Sequence, residues 1–188
     1  MKSVTEVVDE VFDLYIKFGD ADYIGEPVSQ IEHMSQSAQL AMNEGFDDEV
    51  ILAAFFHDIG HICVMNGGDE SMGGYGQKSH ERIGADYLRG CGFPERVAKL
   101  VENHVQAKRY LTYKYPEYYQ QLSEASKKTL EYQGGVMTGG EAKDFEADPL
   151  FETSIRMRKW DELAKETDVA VMDLEILRGK AATVLIGI

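Results

Sequence analysis

Two cysteines in 188 residues, Cys63 and Cys91, are too few for a disulfide framework and fit a reducing compartment. Cys63 has apolar neighbours, so it reads as a buried inert thiol rather than a metal ligand. Apolar runs are short: none approaches the roughly 18 residues that a membrane span needs. The stretch Met1–Glu10 carries acids where a secretory leader would carry an apolar segment. The expectation is a cytoplasmic protein with no membrane attachment. Positive charge is scarce as well. Nineteen Lys and Arg stand against 33 Asp and Glu, a net charge of −14. That argues against nucleic acid as a partner, because its backbone would be repelled. It leaves room for a small anion held locally by metal and a few cations.

What is present is ordinary for a globular chain: 44% hydrophobic and 28% charged residues, at a length that suits one domain with a full core. Periodicity reads helical nearly throughout, so the expected fold class is all-α. The expected helices are Val4–Phe18, stopped by Gly19; Val28–Asn43; and Asp47–Val64, the most apolar, with Asp47 and Asp48 as N-cap candidates. Gly67, Gly68, Gly73, Gly74 and Gly76 then mark a loop, whose phosphate-loop reading is weak because no strand precedes it. Further helices are expected over Lys78–Arg89, over Glu95–Tyr110 with Pro94 at the first helical position, and over Ser123–Tyr132, Glu141–Glu146 and Pro149–Lys165. The tyrosine-rich stretch Thr112–Tyr119 is interrupted by Pro116. The tail from Glu166 has no clear structure, although Ala181–Ile188 is apolar enough to pack on a neighbour.

All five histidines fit one pattern. His33, His57, His61, His80 and His104 fall one per predicted helix, apart from the i, i+4 pair His57 and His61. Imidazole and carboxylate together suit iron, zinc or manganese. Asp58 directly follows His57 inside an apolar helix, where an unpaired carboxylate would cost several kcal/mol. A His–Asp hydrogen bond would relieve that cost; so would a metal, and a carboxylate beside a histidine can bridge two.

The run Phe56-His57-Asp58-Ile59-Gly60-His61, with histidines on both sides, resembles the HD-domain superfamily, a helical bundle around one or two metals. Further segments resemble one branch of it: Tyr23-Ile24-Gly25-Glu26, Gln30-Ile31-Glu32-His33, Gly84-Ala85-Asp86-Tyr87-Leu88, His104-Val105-Gln106-Ala107-Lys108-Arg109-Tyr110-Leu111, Ser123-Glu124-Ala125-Ser126 and Thr129-Leu130-Glu131-Tyr132-Gln133-Gly134-Gly135. Together they are similar to the phosphonate-degrading HD-domain oxygenases, relatives of myo-inositol oxygenase. The resemblance covers roughly residues 20–165 of what is expected to be a single domain over 1–188, with 166–188 as a tail.

The resemblance implies a dinuclear site whose six protein ligands are His33, His57, Asp58, His80, His104 and Asp161, with Asp58 as the bridge. It implies two irons, mixed-valent Fe(II)/Fe(III), and O2 as co-substrate. His61, Lys108, Ser126 and Arg158 become contacts to a phosphonate, and Tyr23 with Glu26 becomes a gate that leaves the metal when substrate arrives. Plainer readings stand beside these. Lys108, one turn after His104, could be a solvated lysine; Arg158, three residues before Asp161, could simply orient that carboxylate. A serine near Ser126 could be an N-cap, and Tyr23 and Glu26 could be a surface pair. Tyr110, Tyr113, Tyr115, Tyr118 and Tyr119 read first as packing residues, with a cation–π wall for a quaternary ammonium as the alternative.

The implied activity is oxygen-dependent cleavage of the C–P bond of a 1-hydroxy-2-(amino or trimethylammonio)ethylphosphonate. The products are glycine or glycine betaine and phosphate, and the substrate supplies all four electrons. Such an enzyme acts after an α-hydroxylating oxygenase. The competing reading is the superfamily's default, a metal-dependent phosphohydrolase of a nucleotide or phosphate ester, in which the metals activate water. A non-catalytic ligand-binding bundle is the third, and six intact ligands argue against it.

Overall fold

The computed structural model describes residues 2–23, 25–63, 72, 74 and 76–187. Among them the regular structure is helical: α1 Val4–Phe18, α2 Gln30–Asn43, α3 Asp48–Phe56, α4 Ile59–Cys63, α5 His80–Gly90, α6 Glu95–Lys114, α7 Pro116–Gln121, α8 Glu124–Tyr132, α9 Gly139–Glu146, α10 Phe151–Leu163 and α11 Leu174–Ile186. Asp22 and Ser29 form an isolated antiparallel bridge. The all-α expectation holds. No helix among the described residues is long and apolar enough to cross a membrane.

The ends of these helices follow from local chemistry. Ser3 with Glu6, Ser29 with Glu32 and Thr138 with Glu141 form capping boxes at the starts of α1, α2 and α9. Asp47 caps α3 by accepting from the Val50 amide at 3.2 Å, and Asp48 is the first helical residue. Pro94 is the N-cap of α6 rather than its first helical residue. Pro116 does not interrupt a loop but opens α7 at its first position, after α6 has continued to Lys114.

The expected helix Asp47–Val64 is two helices, α3 and α4, with His57 and Asp58 in the turn between them; Val64 lies outside the described residues, as do Gly67, Gly68 and Gly73. The reason is visible at His57. Its ring Nδ1 lies 2.8 Å from the carbonyl oxygen of Ala54, an oxygen that the Asp58 amide would take in an unbroken helix.

All seven residues from Val50 to Phe56 are buried, so α3 is the central helix. Phe12 and Tyr15 of α1 stack on Phe55, and Phe56 meets Phe93 edge-on. The tail is structured: α11 packs on α1 and α3, with Leu177 and Ala181 fully buried in the main core. A second, smaller core joins Tyr110 and Leu111 of α6 to Phe145 of α9. Helices α4 and α5 cross very closely. A Cβ on Gly60 would lie 1.9 Å from the His80 carbonyl oxygen, so this crossing admits only glycine.

Candidate metal centre and anion pocket

His33 comes from the first turn of α2, His57 and Asp58 from the α3–α4 turn, His80 from the first residue of α5, His104 from α6 and Asp161 from α10. All six are buried, none more than 3% exposed. Each histidine is held from behind. Nδ1 of His33, His57, His80 and His104 lies 2.8, 2.8, 3.2 and 2.6 Å from the carbonyl oxygens of Ala164, Ala54, Gln77 and Val101. A carbonyl only accepts, so each Nδ1 carries the proton and each Nε2 presents a lone pair.

Those lone pairs face one another. Nε2 of His33 lies 3.0 Å from Nε2 of His57, and Nε2 of His80 lies 3.1 Å from that of His104. With both Nδ1 protons already donated, neither contact is a hydrogen bond between neutral rings. Two nitrogens bound at about 2.1 Å and at right angles to one metal stand about 3.0 Å apart, so each pair has the spacing of a ligand pair. Asp58 joins the pairs. Its Oδ2 is 3.7 and 3.5 Å from His33 and His57, while its Oδ1 is 3.2 and 3.4 Å from His80 and His104. Asp161 Oδ1 adds to the first pair, 3.4 Å from His33. The residues therefore fit two metal ions bridged by Asp58, the first with four protein donors and the second with three.

Protonation suits this. Burial pushes His57 down to about 4, which leaves its lone pair free at neutral pH. Burial opposes ionisation of Asp58 and Asp161, yet the surrounding histidines hold Asp58, and Arg158 with His33 holds Asp161, well below the usual carboxylate range.

His61 differs. Its Nδ1 accepts from the Gln77 amide at 3.1 Å, so Nε2 carries the proton and is a donor, 3.9 Å from Asp58 Oδ1. Its ring stacks on His80 at 4.0 Å. Proximity alone would group His61 with Asp58 and His80 as metal donors; the Gln77 hydrogen bond leaves its Nε2 a donor rather than a lone pair.

A pocket opens beside the centre, lined by Tyr23, Glu26, His61, Lys108, Ser126 and Arg158 among others. Lys108 is 4% exposed and its Nζ donates to Thr129 Oγ1 at 3.0 Å. Burial, aided by the Arg158 charge, pushes it down to about 7. Arg158 is fixed by Tyr118 and Glu162, which accept from its Nε at 3.0 and 2.9 Å, and by Asp161, which accepts from Nη1. Its Nη2 is buried without a partner among the described residues. An orphaned guanidinium nitrogen beside a buried lysine is the donor set of an anion site. Ser123, not Ser126, is the N-cap of α8, so Ser126 lines the pocket without a capping role. Tyr23 stacks on His33 at 4.0 Å, and burial, with the charges of Asp58 and Asp161, pushes its phenol well above the ordinary value. Glu26 is ion-paired with Lys165.

Residues 31–131 match the HD domain family. The chain is 39% identical over 171 residues to a 1-hydroxy-2-(trimethylamino)ethylphosphonate dioxygenase (glycine-betaine-forming) of Leisingera caerulea, covering 91% of this chain and 85% of that one. It is 38% identical over 174 residues to a hydroxymethylphosphonate dioxygenase of Gimesia maris, covering 93% and 86%. An uncharacterized protein of Acanthamoeba polyphaga mimivirus is 44% identical over 178 residues, covering 95% and 81%. The chain belongs to the HD-domain family, among its phosphonate dioxygenases.

In this HD-domain dioxygenase the ligand candidates and the pocket candidates Tyr23, Glu26, His61, Lys108, Ser126 and Arg158 all reach the centre or its pocket. The tyrosine wall does not: Tyr110 packs in the second core, Tyr113, Tyr115 and Tyr119 are exposed, and Tyr118 serves Arg158. Sequence reasoning missed Thr129 and Gln133, which line the pocket one and two turns after Ser126 on the same helical face. The i, i+3, i+7 spacing could have found them. Glu162 stands at i, i+4 from Arg158, a local signal for their ion pair, whereas nothing local pointed to Tyr118 or Lys165 as partners.

Proposed function

We propose that this protein uses dioxygen to cleave the carbon–phosphorus bond of a 1-hydroxyalkylphosphonate, releasing a carboxylate and inorganic phosphate. The class includes the 2-amino and 2-trimethylammonio ethyl forms. The observation that carries the reading is the pairing of imidazole lone pairs across Asp58 beside the orphaned Arg158 Nη2. It is supported by the two relatives named for phosphonate oxygenation. His33, His57, Asp58 and Asp161 would hold one iron, and His80, His104 and Asp58 the other. A mixed-valent pair would supply the redox chemistry with oxygen.

The chain's own groups do the rest. Lys108, Arg158, His61 and Ser126 receive the phosphonate: two cations, a protonated ring nitrogen and a hydroxyl surround one tetrahedral anion. Asp58 and Asp161 stay ionised through Arg158 and the histidines. Tyr23 lines the pocket with one face against His33, so the incoming hydroxyl end must displace the phenol from beside the centre, and Glu26 helps to hold that loop. An empty site is thereby closed to wasteful reaction with oxygen. The substrate's 1-hydroxyl requires an earlier α-hydroxylation. The free thiols Cys63 and Cys91 suit a cytoplasmic setting, and residues 1–188 act as a single HD domain.

Iron-loaded protein incubated with each hydroxyphosphonate, with and without oxygen, and followed by phosphorus NMR tests this. Phosphate should appear only with oxygen. Equal release without oxygen, or no release at all, would overturn the oxygenase reading, and phosphate release from a nucleotide or phosphate ester would then favour the phosphohydrolase.

A further inference from the structure

Glu26 lines the pocket but is not free to receive a ligand. Its Oε1 accepts from Lys165 Nζ at 2.6 Å, and the two side chains are only 10% and 18% exposed. Lys165 follows α10 four residues after Asp161, so the pair ties the loop of Tyr23 and Glu26 to the chain beside the metal centre.

The charges around the pocket then fall into two sets. Asp58 and Asp161 belong to the histidine centre, and Lys108 and Arg158 face the anion. Glu26, the remaining carboxylate among the described lining residues, is cancelled by Lys165. The other lining groups on that side, Gln30, Met72, Ala125 and Gln133, are uncharged. Tyr23 is the one carbocyclic aromatic ring in the described lining, and one of its faces already lies against His33. Among the described residues, a quaternary ammonium entering here meets neither an unpaired carboxylate nor an aromatic cage. Having no N–H, it cannot replace the hydrogen bond that Lys165 gives Glu26. Left beside that intact pair, it would add a second cation to one carboxylate, with Lys108 and Arg158 nearby.

We propose that the Glu26–Lys165 pair determines specificity, making this pocket select a 1-hydroxyalkylphosphonate with an uncharged end over one ending in trimethylammonium. Hydroxymethylphosphonate is the simplest member of the selected class. Lys165 supplies from within the chain the cation that a charged substrate would otherwise bring to Glu26. This rests on the phosphonate reading above.

The test is calorimetric affinity of the iron-loaded protein, without oxygen, for hydroxymethylphosphonate and for 1-hydroxy-2-(trimethylamino)ethylphosphonate. The wild type should prefer the first at least tenfold. Lys165→Met should shift the ratio toward the trimethylammonium compound at least tenfold, and Lys165→Arg should restore it. Glu26→Gln, which leaves Lys165 uncompensated, should move the ratio the other way. Equal or tighter binding of the trimethylammonium compound by the wild type overturns the proposal. So does a Lys165→Met variant in which both affinities change by the same factor, since Lys165 would then only hold the loop. If the folded wild type binds neither phosphonate, the phosphonate reading fails and this one with it. That outcome appears before any variant is made.

Discussion

Replacing Lys108 with methionine should stabilise the metal-free protein and weaken its hold on phosphonate, two effects of opposite sign. The ammonium is 4% exposed and has a hydroxyl, not a carboxylate, as its hydrogen-bond partner. Its pKa falls from 10.5 to about 7. At about 1.36 kcal/mol per pH unit, keeping the group charged in the folded state costs on the order of 5 kcal/mol. The depressed group is a base, so the penalty is full below pH 7, where the folded and unfolded lysines are both charged. It shrinks as pH rises from about 7 to 10.5, where the folded lysine is already neutral, and is gone above that. Methionine keeps the length and removes the charge, while the lost bond to Thr129 returns about 1 kcal/mol. The net expectation is about 4 kcal/mol of added stability near pH 7, fading toward pH 10. Denaturant unfolding of both proteins across that range measures it. Phosphonate binding should weaken about 10- to 100-fold, the value of a hydrogen bond to a charged partner. Wild-type affinity should also fall as pH rises above about 7. A variant less stable than wild type at pH 7, or one with unchanged affinity, would refute the assignment of Lys108 as a strained anion receptor.

Asp58→Asn should lower bound iron from two per chain to one or fewer, because an amide cannot bridge as a charged carboxylate does; two irons retained in an elemental count would contradict the bridge. Gly60→Ala should force α4 from α5, since the added Cβ meets the His80 carbonyl at 1.9 Å; a variant with wild-type melting temperature and iron content would contradict that. Leu177→Ala, at a fully buried position of α11, should cost about 2–5 kcal/mol in denaturant unfolding; a loss below about 1 kcal/mol would show that α11 is dispensable to the core.

The metal-facing half of the site was legible because its information is local. Each ligand histidine sits one to a predicted helix, and Asp58 beside His57 in an apolar run is a charge that needs a partner. Helix breaks were less legible. Periodicity runs smoothly through Asp47–Val64, and the break arises when the His57 ring takes the Ala54 carbonyl, a choice made by a side chain already committed to the centre. The tail shows the same limit: α11 forms on the apolar faces of α1 and α3, and only the folded neighbours reveal the surface it covers. Glu26 and Lys165 are 139 positions apart, and no spacing rule reaches that far.

His61 shows how much turns on one such contact. By sequence it stands one turn after His57, the spacing of two zinc ligands on one helix, and by distance it could join Asp58 and His80 around an ion. What separates it from the other four is the atom its Nδ1 faces. Theirs face carbonyl oxygens, which take the ring proton and leave Nε2 a lone pair; that of His61 faces the Gln77 amide, which gives a proton and leaves Nε2 a donor. Gly76 makes this possible: at φ 99° it has a conformation that favours glycine, and a Cβ there would lie 2.6 Å from the His61 ring. The backbone leading to Gln77 can thus approach the imidazole closely enough to fix its tautomer. A backbone amide thereby divides five similar side chains into four whose Nε2 presents a lone pair and one whose Nε2 is a donor, and the boundary between the histidine centre and the cationic pocket beside it runs through that hydrogen bond.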